Sequence, residues 1–338
     1  MHLCLFEDIQ YRNFLPIAYL RPVYELRCGM LSLREKIEAS FPRASVSLHV
    51  RPDLAGFWRD EQAAFPVNEM PERDTWFING RVVADENLVK LVRGKKPRQC
   101  AYLKDGDLAA AYVEGSNVRA AVRSWPQPFG QESFGGIPSE PFECTMVRYP
   151  WDLVAGTSGE IGTDFRRRSK GAGKAGTFRV NRGAYLLNRK QIRIGRGSVI
   201  KPGAVLDAER GPIVLGQNVT VLPNAMIEGP AFIGDHSVIK AGAKIYHGTS
   251  IGAHCKVGGE VEASVLQSYS NKQHDGYLGH SYLGSWVNLG AGTNTSDLKN
   301  TYGNVSVRLG DTEIDTGLQF VGLTMGDHSA TGINVMFD

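Results

Sequence analysis

Residues 227–257 read IEGPAFIGDHSVIKAGAKIYHGTSIGAHCKV. An aliphatic side chain recurs at every sixth position: Ile227, Ile233, Ile239, Ile245, Ile251 and Val257. Four places after each comes a small or β-branched residue: Ala231, Ser237, Ala243, Thr249, Cys255 and Val261. Glycine follows the aliphatic directly at 234, 252 and 258. A period of six matches neither the 3.6 of a helix nor the simple alternation of a strand. It suits a triangular prism in which each hexad supplies one short strand and one turn, so that a coil takes roughly eighteen residues. The aliphatic faces the interior, and glycine or asparagine takes turn conformations closed to bulkier side chains. Stacked coils then share one continuous core. Earlier hexads begin at Ile194, Ile200, Leu215 and Val221, with a break at Asp207–Pro212. After a second break the period returns at Leu283 and Leu289. The expected C-terminal fold is an all-β, single-stranded parallel β-helix of hexapeptide repeats over residues 191–338.

Residues 1–165 carry a different pattern. Strands are expected at Leu3–Phe6, Val46–Val50, Trp76–Ile78 and Cys144–Tyr149. Asp85 can cap a short helix through Leu88, Leu91 and Val92. Asp105-Gly106 between Ala101–Leu103 and Leu108–Val113 signals a hairpin. Pro150 suits the first turn of a helix reaching Phe165. This mixture reads as an α/β domain. Residues 166–190 read as a basic, Gly/Ala-rich linker. Seven basic residues between Arg166 and Arg182 leave an anion- or RNA-binding arm as a second reading. Gly173-Lys174 lacks the upstream glycine and the Ser/Thr of a phosphate loop.

The 338-residue chain has a net charge of only +3, so a general nucleic-acid partner is not expected. No apolar run reaches the length of a membrane span, and none is expected. The five cysteines are scattered and odd in number, which fits buried thiols in a reducing cytoplasm better than a disulfide framework. His236 and His254 lie one coil apart but without a third ligand, so they read as turn residues and no metal site is assigned.

Chemistry concentrates in Asn271–Thr293, which reads as a polar insertion between hexads. An amine that attacks a thioester must lose a proton, and an imidazole is suited to accept it near neutral pH. His274 is the candidate general base. Backbone N–H groups of a glycine-rich turn can stabilise the thioester oxygen as it gains charge. His280 either orients His274 or faces solvent.

The run His274-Asp275-Gly276-Tyr277-Leu278-Gly279, preceded by Lys272, continues to Val287-Asn288-Leu289-Gly290-Ala291-Gly292-Thr293. It resembles the acetyltransferase half of the bifunctional N-acetylglucosamine-1-phosphate uridyltransferase/glucosamine-1-phosphate acetyltransferase (GlmU) family. Further residues resemble GlmU-like sugar nucleotidyltransferases: Leu15-Pro16, Arg21-Pro22, Tyr149-Pro150-Trp151-Asp152-Leu153, Gly258-Gly259-Glu260-Val261-Glu262 and Ser296-Asp297-Leu298-Lys299-Asn300. The resemblance implies a nucleotidyltransferase-like N-terminal domain, a left-handed crossover in the β-helix, and a homotrimer. It implies an acyl transfer from acetyl-CoA to an amino-sugar phosphate or nucleotide-linked amino sugar. It places Tyr277 and Asn288 on the sugar phosphate, Lys272 or Lys299 against the phosphate charge, and Ala291 and Gly292 beside acetyl-CoA.

The chain also departs from that family. Leu3–Ile9 holds no glycine loop, and Val23 follows Pro22 where the family has lysine. Arg21, Arg27 and Lys36 either hold phosphates in its place or are surface charge. Mg2+ is implied only if nucleotidyl transfer exists. Glu262, Ala263 and Ser264 stand where the family has cations, with Lys244 or Lys256 as replacements from neighbouring rungs. Val335-Met336-Phe337-Asp338 reads as a strand without a cap, which implies a truncated C-terminus or a covering subunit. Two other functions fit the sequence: sugar-1-phosphate nucleotidyl transfer with the β-helix as a trimerising scaffold, and a non-catalytic sugar-nucleotide-binding or scaffold protein.

Overall fold

The computed structural model describes residues 1–94, 97–122, 124–169 and 177–338. They form two compact units: Met1–Leu26 with Leu31–Arg148, and Arg27–Met30 with Tyr149–Asp338.

The first unit is α/β. Strand His2–Phe6 is buried along its whole length and pairs in parallel with Ser45–His49 on one side and Thr75–Asn79 on the other. Antiparallel Asp107–Val113 and Cys100–Lys104 extend the sheet, and Ser139–Pro141 closes the edge. Burial on both faces explains why His2–Phe6 and Thr75–Asn79 are rich in apolar residues. Asp105 and Gly106, both at positive φ, form the expected hairpin turn. Helix Leu33–Ser40 begins with a Ser32/Glu35 capping box. In helix Glu86–Arg93 the Asp85 carboxylate accepts from the Leu88 amide at 2.9 Å. The segment 144–149 is not a strand; it makes a single bridge, Met146 to Val82.

The second unit is a left-handed parallel β-helix preceded by a long helix. Among the described residues its coils build three parallel faces. The first runs from Arg179–Val180 to Asn271–Lys272, the second from Tyr185–Leu187 to Tyr277–Gly279, and the third from Ile192–Ile194 to Thr324–Met325. Ile227 pairs with Ile245, Ile233 with Ile251 and Ile239 with Val257, so each aliphatic stacks on the one a coil later. All six are fully buried, as are Ala231, Ser237, Ala243, Thr249, Cys255 and Val261. Helix Pro150–Ser169 lies along the third face. Its start is fixed by the Asp152 carboxylate, which accepts from the Tyr149 amide at 3.0 Å.

At the corner between the third and first faces His236, His254, Tyr269, Trp286 and His328 form a ring column. Successive centroids are 4.8, 5.0, 4.7 and 6.2 Å apart. Each of the five residues has positive φ.

Three boundaries differ from expectation. The helix continues past Phe165 to Ser169, so Arg166–Arg168 are helical. The solenoid starts at Arg179, inside the segment read as linker, because Val180, Leu186 and Ile192 already keep the six-residue period. Lys170–Gly176, with the Gly173-Lys174 pair, lies outside the described residues. Finally, residues 271–293 do not interrupt the coils. Asn271–Lys272, Tyr277–Gly279 and Tyr282–Leu283 continue the three faces in register. The insertion is 296–323, which contains the hairpin Ser306–Leu309/Thr312–Asp315.

Among the described residues, no helix is long and apolar enough to cross a membrane.

Candidate functional site

His274 sits on the turn 273–276, at the corner between the first and second faces, with its side chain exposed. The next turn up the same corner carries Ala291 and Gly292. The Gly292 amide donates to the Asp275 carbonyl at 3.0 Å, and the Asn334 amide donates to the Ala291 carbonyl at 2.7 Å. The structure therefore brings the candidate base and the candidate acetyl-CoA residues onto adjacent rungs. Gly276, at φ +123, makes this geometry possible. A Cβ there would lie 2.1 Å from the Thr293 carbonyl oxygen, which is backbone and cannot give way. Gly276→Ala is expected to cost about 1–3 kcal/mol from backbone strain, read as a lowered midpoint in thermal unfolding.

Lys272 is not on the surface. It is 2% exposed and occupies an inward position on the first face, paired with Val257. Its Nζ donates to the His274 carbonyl at 2.7 Å. Burial pushes its ammonium down to about 8, against the opposing pull of Asp275 and Glu260.

Tyr277, expected on the sugar phosphate, is engaged with carboxylates. Its hydroxyl lies 3.0 Å from Asp297 Oδ2 and 3.2 Å from Glu262 Oε2. Burial, then Asp297 and Glu262, push the phenol up. Asp297 Oδ2 also lies 2.8 Å from His280 Nδ1, and the His280 ring stacks on Phe320 at 5.0 Å. Asp297 and Phe320 both come from the 296–323 insertion, so His280 and Tyr277 anchor that insertion to the prism. For His280 the sequence allows either orienting His274 or facing solvent; the partner the structure gives it is Asp297, which no motif marks. Asn288 is exposed on the first face, bridged by backbone to Asn271 and Ala330. Lys299 is exposed, with Nζ 2.8 Å from the Asn304 carbonyl. Lys244 pairs with Glu260 across neighbouring rungs.

In the first unit, the carboxyl ends of the parallel strands are where α/β sheets usually bind ligands. Here that edge holds two arginine–carboxylate pairs. Arg51 donates to Glu7 Oε1 at 2.7 Å and to the carbonyls of Ala18 and Tyr19. Glu7 also accepts from the Val23 and Arg51 amides. Burial pushes the Glu7 carboxyl up to about 7, against the pull of Arg51. Arg81 donates to Asp8 Oδ2 at 2.5 Å, to Asp107 Oδ2 at 2.9 Å and to the Val147 carbonyl at 3.2 Å. No sequence motif marks either pair.

The candidate phosphate ligands are dispersed. Lys36 is fully buried in its helix, and Arg21 is half-buried before Pro22. Arg27 belongs to the second unit, where its guanidinium donates to the Met30 carbonyl at 2.5 Å and lies over the Phe232 ring. A cleft of about 720 Å³ lies at the opposite, amino-terminal strand ends, lined by His2, Arg73, Asp74, Trp76 and Tyr112 among others.

A family model described as sugar nucleotidyl transferase matches residues 3–172. The bifunctional protein GlmU of Rippkaea orientalis is 34% identical over 115 residues, covering 32% of this chain and 23% of that protein. GlmU of Acidithiobacillus ferrooxidans is 32% identical over 145 residues, covering 42% and 31%. The matched stretch thus spans about a quarter to a third of these relatives' length. The acetyltransferase domain of PglB from Neisseria gonorrhoeae, solved with acetyl coenzyme A, aligns with 59% of this chain and 78% of that one. The identity is 19% and the TM-score 0.27. The family model covers half of the sequence, and the chain belongs to the sugar nucleotidyl transferase family.

Proposed function

We propose that the β-helix unit transfers an acetyl group from acetyl-CoA to the amine of an amino-sugar phosphate or nucleotide-linked amino sugar, with His274 as general base. The observation that carries this reading is the exposed imidazole one rung below Ala291 and Gly292 on a single corner. Acetyl-CoA supplies the thioester, and His274 takes the proton released by the attacking amine. Exposed Asn288 and Lys299 are the groups available to the acceptor, Lys299 for a phosphate. The same reading takes the protein as a cytoplasmic homotrimer assembled through the β-helix.

The test is release of free CoA thiol when the protein is given acetyl-CoA with glucosamine 1-phosphate or a UDP-linked amino sugar. Amine-dependent release is expected with at least one acceptor. Release no faster than the acceptor-free background across the panel would remove the proposal.

The family match favours a second reading, sugar-1-phosphate nucleotidyl transfer in the first unit. Among the described residues, the carboxylates at the carboxyl edge of the sheet do not fit the Mg2+ that such chemistry uses. Glu7 is committed to Arg51, and Asp8 and Asp107 to Arg81. Pyrophosphate release from UTP or dTTP with a sugar phosphate would restore that reading.

A further inference from the structure

Lys272 stands where the solenoid puts an aliphatic. Leu266, Lys272 and Leu278 keep the six-residue spacing, and Leu266 and Leu278 are fully buried. Its neighbours along the first face, Val257 and Leu289, belong to the prism core. An ammonium in such a slot is costly unless its protons are satisfied. The chain could have kept leucine or methionine there at no cost to the coil, so the lysine calls for another role.

The surroundings show what the ammonium does. Nζ reaches out of the core to the carbonyl of His274, at 2.7 Å. The rung below leaves room for it. Gly259 has φ +67, and a Cβ on it would lie 2.8 Å from Lys272 Nζ, 2.6 Å from the Gly276 oxygen and 2.9 Å from the His274 oxygen. The ammonium and two carbonyls of the 273–276 turn thus converge on a space that only glycine leaves empty. The Glu260 amide donates to the Gly276 carbonyl at 3.1 Å and fixes the far end of the turn. A phosphate ligand needs solvent access, and a 2%-exposed lysine bonded to backbone has little.

We propose that Lys272 is a positioning residue: it clamps the 273–276 turn from inside the prism and so aims the His274 imidazole at the acceptor amine. The role rests on the acyltransferase reading for its purpose, but the clamp itself is a property of the unliganded protein. The lowered ammonium pKa fits a charge held away from water for this purpose.

The test is Lys272→Met in the full chain, since methionine fills the aliphatic slot without a charge. Amide hydrogen exchange over 273–276, measured without ligand, should speed by about tenfold or more as the turn is released. The thermal midpoint should equal or exceed that of the wild type, because a buried charge has been replaced by an apolar side chain. With active protein, kcat should fall by about tenfold or more while both KM values stay within about twofold. Unchanged exchange would overturn the clamp. So would a raised KM for the sugar phosphate with kcat intact, which would make Lys272 a ligand. A lowered thermal midpoint with faster exchange across both coils of 257–289 would make it a general structural residue, and would also overturn it. If the wild type shows no acyl transfer, the functional reading fails while the exchange comparison still decides the clamp.

Discussion

Replacing His274 with alanine should lower kcat for acyl transfer by about 10²–10⁴-fold, the usual contribution of a positioned general base. The folded state should not notice. The imidazole is exposed, and the group that holds the turn is the backbone carbonyl of residue 274, which alanine keeps. Steady-state kinetics with a saturating acceptor, beside a thermal melt, separates the two effects. Turnover within about twofold of the wild type would strip His274 of its role. The proton would then have to be taken by another group, and His280, oriented by Asp297 at 2.8 Å on the next corner, would be the next to test. An equal loss of activity and of thermal midpoint would instead show that the substitution had damaged the coil.

Arg81→Ala should destabilise the first unit by about 3–5 kcal/mol, the scale of a buried ion pair broken by loss of one partner. Arg81 is 1% exposed and meets Asp8, Asp107 and the Val147 carbonyl. Its removal leaves the Asp8 carboxylate, 6% exposed, with Asn79 Nδ2 at 2.8 Å and the Gln10 amide at 3.2 Å as its neutral donors among the described residues. Urea unfolding of both proteins gives the difference. A loss below about 1 kcal/mol would mean that the pair behaves as a surface ion pair and that water reaches Asp8.

Much of the solenoid was legible because its interior admits few side chains. A hexad position that must point inward selects Ile, Val or Leu, and those at 227, 233, 239, 245, 251 and 257 are all fully buried. The same rule hid Lys272. A lysine in an inward slot looks like the end of the repeat, so the candidate site read as an insertion when it is an unbroken coil. The true insertion, 296–323, was invisible for the converse reason: the strands of its hairpin hold no buried residue and no core constrains their pattern. In the first unit five strands could be read, within a residue or two, from their own composition; 144–149 reads the same way but makes only a single bridge. The Glu7–Arg51 and Asp8–Arg81 pairs could not. Their partners are 44 and 73 positions apart, and only the parallel order of the strands brings them to one edge. His274, Ala291 and Gly292 do share a corner, whereas Arg27 and Lys36 are drawn off by packing.

The ring column on the corner between the third and first faces has a consequence for folding fidelity. Parallel strands of two or three residues say little about which neighbour belongs opposite which, and a slip by one position would exchange inside for outside. His236, His254, Tyr269 and Trp286 come one from each of four successive coils, with His328 beyond the insertion, and each ring plane lies within 10° of the next. A coil wound one residue out of step would pull its ring from the column and leave a gap. The column therefore works as a set of index marks, checking the winding of each coil against the one before it.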